Sequence, residues 1–293
     1  MGVSFGVGVG VIMLLELGIG DSFGGAFEYK SEAFVAANNF PENGYVERHG
    51  KKGVYTDDTQ MSLAIAEALI SGEEWTPSML AERFFQAFKR DPRGGYARRF
   101  HFLLDEVKSS EELLTRLMTQ TGPGSDRSGA AMRAGPIGVL PSIGDVLKKS
   151  RIQAAITHNS TDGQNAAMAA SLLAHYFVYD LGPKADVGSF IQSHVDGQWS
   201  VPWVGPVGEK GWQSVRAAIT AVIGSASLKE VLQKSVAFTG DVDTVACVAL
   251  GAAAHSKEIE WNVPQPLIDE LENGAYGRDY IVDIDRQLFA LKG

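Results

Sequence analysis

The 293-residue chain has a single cysteine, Cys247, so no intrachain disulfide can form and cysteine usage lends secretion no support. It has no Cys/His set of the kind that holds zinc. No run of five or more basic residues occurs and the net charge is −9, which leaves nucleic-acid binding little electrostatic support. No alternating apolar–polar strand series, internal repeat or low-complexity segment is found. With 21% charged and 45% apolar residues, the composition is that of a soluble, cytosolic globular protein.

The first twenty residues, MGVSFGVGVGVIMLLELGIG, are apolar. They lack a positive n-region and a small-residue cleavage site, and Glu16 interrupts the run. Gly6 stands where a myristoylation pattern needs Ser or Thr. The stretch reads as a buried first helix running into residues 18–20. No other window approaches a membrane span, so neither a membrane nor a nucleic acid is an expected partner.

What is present is helical periodicity and acid. In residues 56–72 the apolar Met61, Ala64, Ile65, Ala68 and Leu69 fall on one helix face, closed by Ser71-Gly72. Thr56 can act as N-cap, with Asp57 and Asp58 in the first turn beside the positive dipole end. Capping alone explains two acids once. It does not explain their return in Gly240-Asp241-Val242-Asp243-Thr244, ahead of an apolar helix over residues 245–254. Two hard-oxygen clusters, each opening a buried helix, suit a shared cation site.

Between them, helices are expected over residues 77–88, 98–107, 111–118, 143–156, 162–179, 183–195, 212–223 and 228–237. Ser109-Ser110 would cap the third of these. Helices over 266–272 and 279–291 end the chain. Residues 29–55 show no periodicity and read as a loop over the site. Residues 122–136 form a glycine-rich loop entering a short helix, able to present N–H groups to phosphate. Residues 196–211 form a tryptophan-bearing loop, with Trp199, Trp203 and Trp212 packing it down. Asp21 reads as a buried hydrogen-bonding acid and Glu28 as the better candidate for chemistry. The expected fold is all-α: a single compact multi-helix domain over residues 1–293.

These motifs, in order, resemble those of the ADP-ribosylglycohydrolase family. Gly20-Asp21-Ser22-Phe23-Gly24 with Glu28 is similar to its G-D-x-x-G…E opening, and Thr56-Asp57-Asp58-Thr59 to its T-D-D-T. Ser128-Gly129-Ala130-Ala131-Met132-Arg133 resembles N-G-x-x-M-R, Thr157-His158 resembles T-H, and residues 240–244 resemble G-D-T-D-T. The resemblance implies a dinuclear metal cleft, with two Mg²⁺ or Mn²⁺ ions held by Thr56, Asp57, Asp58, Asp241, Asp243 and Thr244. It implies ADP-ribose bound by Gly124, Ser125, Ser128, Gly129, Met132 and His158. The implied reaction removes ADP-ribose from a modified protein, with Glu28, Asp57 or Asp58 as base or charge stabiliser.

Three departures stand out: Ser128 for Asn, Asp126 where some members carry an aromatic, and Val242 for Thr. None removes a presumed metal ligand, so a live enzyme is expected. Arginine-linked ADP-ribose is preferred over serine-linked, because Asp57, Asp58, Glu28 and Asp126 would grip a guanidinium. The alternatives are a non-catalytic ADP-ribose reader or crystallin-like relative, and a hydrolase of another nucleotide-sugar or phosphoester.

Overall fold

Apolar residues at helical spacing fold the chain into fourteen α-helices among the described residues, 13–120 and 124–292 of a computed structural model. In chain order they are α1 (Leu14–Gly24), α2 (Glu32–Asn38), α3 (Asp57–Ile70), α4 (Pro77–Arg90) and α5 (Arg98–Glu106). Then come α6 (Ser110–Gln120), α7 (Ile143–Ala155), α8 (Thr161–Val178), α9 (Val187–Gln192) and α10 (Gly211–Ile223). The last four are α11 (Leu228–Ala237), α12 (Val242–Ala253), α13 (Gln265–Asp269) and α14 (Arg278–Phe289). Among these residues no strand forms, only isolated bridges such as Val207 with Gly240. No helix is long and apolar enough to cross a membrane. Residues 1–12 of the expected first helix and residues 122–123 of the glycine-rich loop lie outside the described residues.

Every residue of α1 and α12 is buried, and the two helices pack along each other at the centre of the molecule. Small residues permit that approach. A Cβ on Gly20 would lie 2.6 Å from the Ala246 carbonyl carbon, and one on Gly24 would lie 2.6 Å from Asp243 Cα. α3 and α14 pack against α1, while α8, α10 and α11 pack against α12. One continuous apolar core joins these layers.

The expected helices are found, with three corrections. Residues 29–55 are not wholly irregular: α2 forms there, capped by Ser31, whose Oγ accepts from the Phe34 N–H at 3.2 Å, followed by a 3₁₀ turn at Pro41–Asn43. The expected helix over 183–195 divides into a 3₁₀ turn, Lys184–Asp186, and α9. α12 begins at Val242, so Asp243 and Thr244 lie inside its first turn. Ser109 does cap α6, accepting from the Glu112 N–H at 3.2 Å. Trp199 is buried, and Trp203 packs edge-on to Trp212 at 5.7 Å, so the tryptophans anchor their loop.

Candidate active site

Asp21 brings the first acid turn into place. It is fully buried on α1 and accepts four hydrogen bonds from the start of α3. Oδ2 accepts from the Thr56 N–H at 2.8 Å, the Thr59 N–H at 3.0 Å and Thr59 Oγ1 at 2.6 Å; Oδ1 accepts from Thr56 Oγ1 at 2.7 Å. The cap of α3 therefore comes from another helix. Thr56 occupies the N-cap position, but its own side chain makes no capping bond, a correction to the expected role. Asp21 is the structural hydrogen-bonder anticipated from its apolar setting. With those N–H groups served by Asp21, the Asp57 and Asp58 carboxylates are not needed as caps.

The second acid turn is fixed from α10 and the preceding loop. The Asp241 N–H donates to the Val207 carbonyl at 3.0 Å, and Ser214 Oγ donates to Asp241 Oδ2 at 3.0 Å. The Thr244 N–H donates to Asp243 Oδ1 at 2.9 Å. Glu28, just beyond α1, joins this turn: one carboxylate oxygen each from Glu28, Asp241 and Asp243 lie within 4.8 Å of one another. Arg48, from the segment over the site, donates from Nη2 to Glu28 Oε2 at 2.8 Å.

Crowding these acids away from water raises their proton affinity. Burial first, then the neighbouring carboxylates, push Asp57, Asp58 and Asp241 well above the usual carboxylate range. Burial also pushes Asp243 up. Glu28 rises to about 7 through burial and Asp243, against the pull of the Arg48 guanidinium. The residues fit a hard divalent cation on two counts. Their donors are all oxygens, and Asp58 Oδ1 is buried with no hydrogen-bond partner among the described residues. Such an atom is costly unless something positive completes it.

The acids line a cavity of about 850 Å³. Glu28, Asp57, Asp58, Asp241, Asp243 and Thr244 are among its lining residues; Thr56 is not, and its hydroxyl proton is committed to Asp21. Along the wall run Gly124, Ser125, Ser128, Gly129, Met132 and His158, so the whole expected ligand-binding set shares this space with the acids. Burial and the Arg133 cation lower His158 to about 3, which keeps the imidazole neutral. The start of α5 also lines the cavity, with Arg98, Arg99, Phe100 and the half-exposed Phe102, whose ring lies 5.5 Å from the Arg98 guanidinium carbon.

Asp126 is held in an ion pair. Lys210 Nζ donates to its Oδ2 at 2.6 Å, and it is not among the lining residues. Its expected part in gripping an acceptor cation is therefore withdrawn. Sequence reading missed Arg48, Ser214 and the α5 wall. Only the Gly94-Gly95 doublet ahead of α5 hinted at close approach: Gly95 has φ +104° and packs its backbone on Asp57 Oδ1.

Comparison with known proteins follows the same lines. The profile described as ADP-ribosylglycohydrolase matches residues 12–293. "ADP-ribosylhydrolase ARH3" of Xenopus tropicalis is 33% identical over 134 residues, 44% of this chain and 38% of that protein. The human protein of that name is 35% identical over 125 residues, 41% of this chain and 34% of that protein, so the match spans little more than a third of these relatives. "ADP-ribosyl-[dinitrogen reductase] glycohydrolase" of Rhodospirillum rubrum is 24% identical across 80% of this chain and 81% of its own. A solved structure titled "ADP-ribosylglycohydrolase-related protein complex" superposes with a TM-score of 0.70 at 22% identity, covering 97% of both chains, and so shares the fold.

Proposed function

The chain belongs to the ADP-ribosylglycohydrolase family, and from that membership we propose that it hydrolyses the bond from C1 of the distal ribose of ADP-ribose to a protein side chain. The observation that carries this reading is the make-up of one cavity. Five carboxylates share its lining with a glycine-rich loop, a neutral imidazole, arginines and aromatic rings, while the other two lining acids, Glu106 and Glu209, are paired with Arg116 and Arg127. That combination suits a ribose and cations at the acids and a diphosphate and base at the loop, cations and rings.

Asp57, Asp58, Asp241, Asp243 and Thr244, with Thr56 by resemblance, are proposed to hold two Mg²⁺ or Mn²⁺ ions. When bound, such cations supply Lewis acidity and the positive charge that buried acids need. Glu28 is the proposed base. It lines the cavity, and one of its carboxylate oxygens lies beside those of Asp241 and Asp243, where it can take a proton from water. Water adds its oxygen to C1 and gives one proton to Glu28; the C1–side-chain bond breaks, and the leaving group takes up a proton. Asp57 and Asp58 would steady positive charge on the ribose ring as that bond lengthens. Arg48 would hold the Glu28 carboxylate in place.

Arginine is carried forward as the acceptor from the sequence reading; Asp126 no longer contributes, and Asp57, Asp58, Asp241 and Asp243 are the acids assigned to the cations. The test is release of free ADP-ribose from arginine-linked and serine-linked peptides, with chelator, Mg²⁺ or Mn²⁺. Metal-dependent release, faster from the arginine peptide, is expected. Faster serine release would overturn the acceptor, full activity in chelator would overturn the cation site, and binding without release would leave an ADP-ribose reader.

A further inference from the structure

Into the cavity wall runs a line of buried and half-buried polar groups, Gln153, Arg133 and Thr157, that contains no carboxylate. Arg133 is 1% exposed. Its Nε donates to Gln153 Oε1 at 2.7 Å, and its Nη2 donates to the Gln153 carbonyl at 3.1 Å and to Thr157 Oγ1 at 2.8 Å. The guanidinium carbon lies 4.5 Å from the Phe84 ring centroid. Gln153 Nε2 in turn donates to the Ala130 carbonyl at 2.9 Å, which ties this line to the glycine-rich loop. Thr157 Oγ1 is 2.7 Å from His158 Nδ1.

We propose that Arg133 and Thr157 are positioning residues that hold His158 as the Nε2–H tautomer, a hydrogen-bond donor to an anionic oxygen of the ligand. The second half rests on the reading that the cavity takes ADP-ribose. A guanidinium has donors and no acceptor, so Thr157 must accept from Arg133. Among the described residues the Thr157 hydroxyl meets only Arg133 and His158, so Nδ1 is the protein acceptor within reach of its own proton. The reverse arrangement, with Nδ1–H donating to Thr157, leaves the hydroxyl proton, polarised by a neighbouring cation, with no protein acceptor among the described residues. The imidazole, kept neutral by burial and that same cation, then carries its single proton on Nε2.

Nε2 sits against the loop. A Cβ on Gly129 would lie 3.1 Å from it and 2.9 Å from Cε1, so glycine lets the ring reach the loop backbone. The donor therefore joins the part of the cavity wall formed by Ser125, Ser128 and Gly129. An acceptor such as a phosphate oxygen satisfies it, whereas a ligand group that only donates would face Nε2–H without a bond.

The experiment is imidazole ¹⁵N NMR of the labelled full chain without ligand, with His158 assigned by the signal lost in His158→Asn, paired with calorimetric titration of ADP-ribose. The wild type is expected to show protonated Nε2 and bare Nδ1. Thr157→Val should lose that preference and bind ADP-ribose about tenfold or more weakly, the worth of one charge-assisted hydrogen bond. Thr157→Ser, which restores the hydroxyl, should recover both. A wild-type Nδ1–H tautomer overturns the inference, as does a Thr157→Val protein with unchanged tautomer and affinity. A wild type that shows Nε2–H and does not bind ADP-ribose overturns the functional reading and the ligand half of the inference, leaving the tautomer standing.

Discussion

Asp21 and Asp58 are both buried acids within the same crowded region, yet their oxygens are used in opposite ways. Asp21 spends its carboxylate on four donors from α3, whereas Asp58 Oδ1 has no partner among the described residues. The first arrangement builds structure and the second leaves capacity for a ligand. Asp21→Asn puts an NH₂ group among donors, and should cost roughly 1–3 kcal/mol of stability in urea denaturation. Asp58→Asn should abolish turnover while the metal-free protein melts at or above the wild-type temperature, because one buried repulsive charge is gone. Its melting temperature should also no longer rise on adding Mg²⁺. If Asp58→Asn unfolds the protein and Asp21→Asn does not, the two roles are misassigned. These residues were legible in the sequence because acids stranded in apolar runs, or doubled in a helix's first turn, demand a reason. Asp126 was misread because its partner, Lys210, lies 84 residues away in the chain. Arg48 was missed because it sits in a segment with no period.

At the scale of elements, period and caps located most helices to within a residue or two, since each buries one face. α2 escaped because it is seven residues long and Val35 is its only buried residue, so no stripe marks it. The close crossing of α1 and α12 was only half legible. Glycines at helical spacing announce close approach, but not what approaches. Close approach also governs the segment between α4 and α5, where Gly95 holds a positive φ and packs on Asp57 Oδ1. Alanine there is strained in the backbone, and its methyl group would overlap that carboxylate oxygen. Gly95→Ala should therefore lower stability by about 1–3 kcal/mol. It should also depress turnover more than ADP-ribose affinity, because it displaces Asp57 and leaves the glycine-rich wall alone. A variant with normal melting and normal turnover would show that Asp57 needs no such seat.

Across the whole molecule, buried acid is concentrated at both ends of α1. The C-terminal end opens on the cavity. At the N-terminal end, Glu16 Oε1 accepts from Trp261 Nε1 at 2.8 Å and Asp285 Oδ2 accepts from the Leu14 N–H at 2.7 Å. The other oxygens, Glu16 Oε2 and Asp285 Oδ1, have no partner among the described residues. In the sequence Glu16 was legible only as a break in an apolar run, since its neighbour on α14 lies 269 positions on (285 − 16). Burial, and for Glu16 the Asp285 charge, raise Glu16 to about 8; burial raises Asp285 to about 7. The folded chain thus keeps protons that the unfolded chain releases near pH 4. By linkage, stability is fully present below that pH and is lost as pH rises through about 7 to 8. Acids around the cavity follow the same sign in the absence of cations, so the wild-type slope alone cannot single out this pair. Glu16→Gln isolates Glu16: the amide oxygen still accepts from Trp261, and Asp285 is the acid that remains there to titrate. In urea denaturation with chelator, the wild type should lose at least about 1 kcal/mol more than Glu16→Gln between pH 5 and 8.5. Parallel curves would mean that Glu16 ionises in the folded protein much as it does in water, and that the far end of α1 stores no such strain.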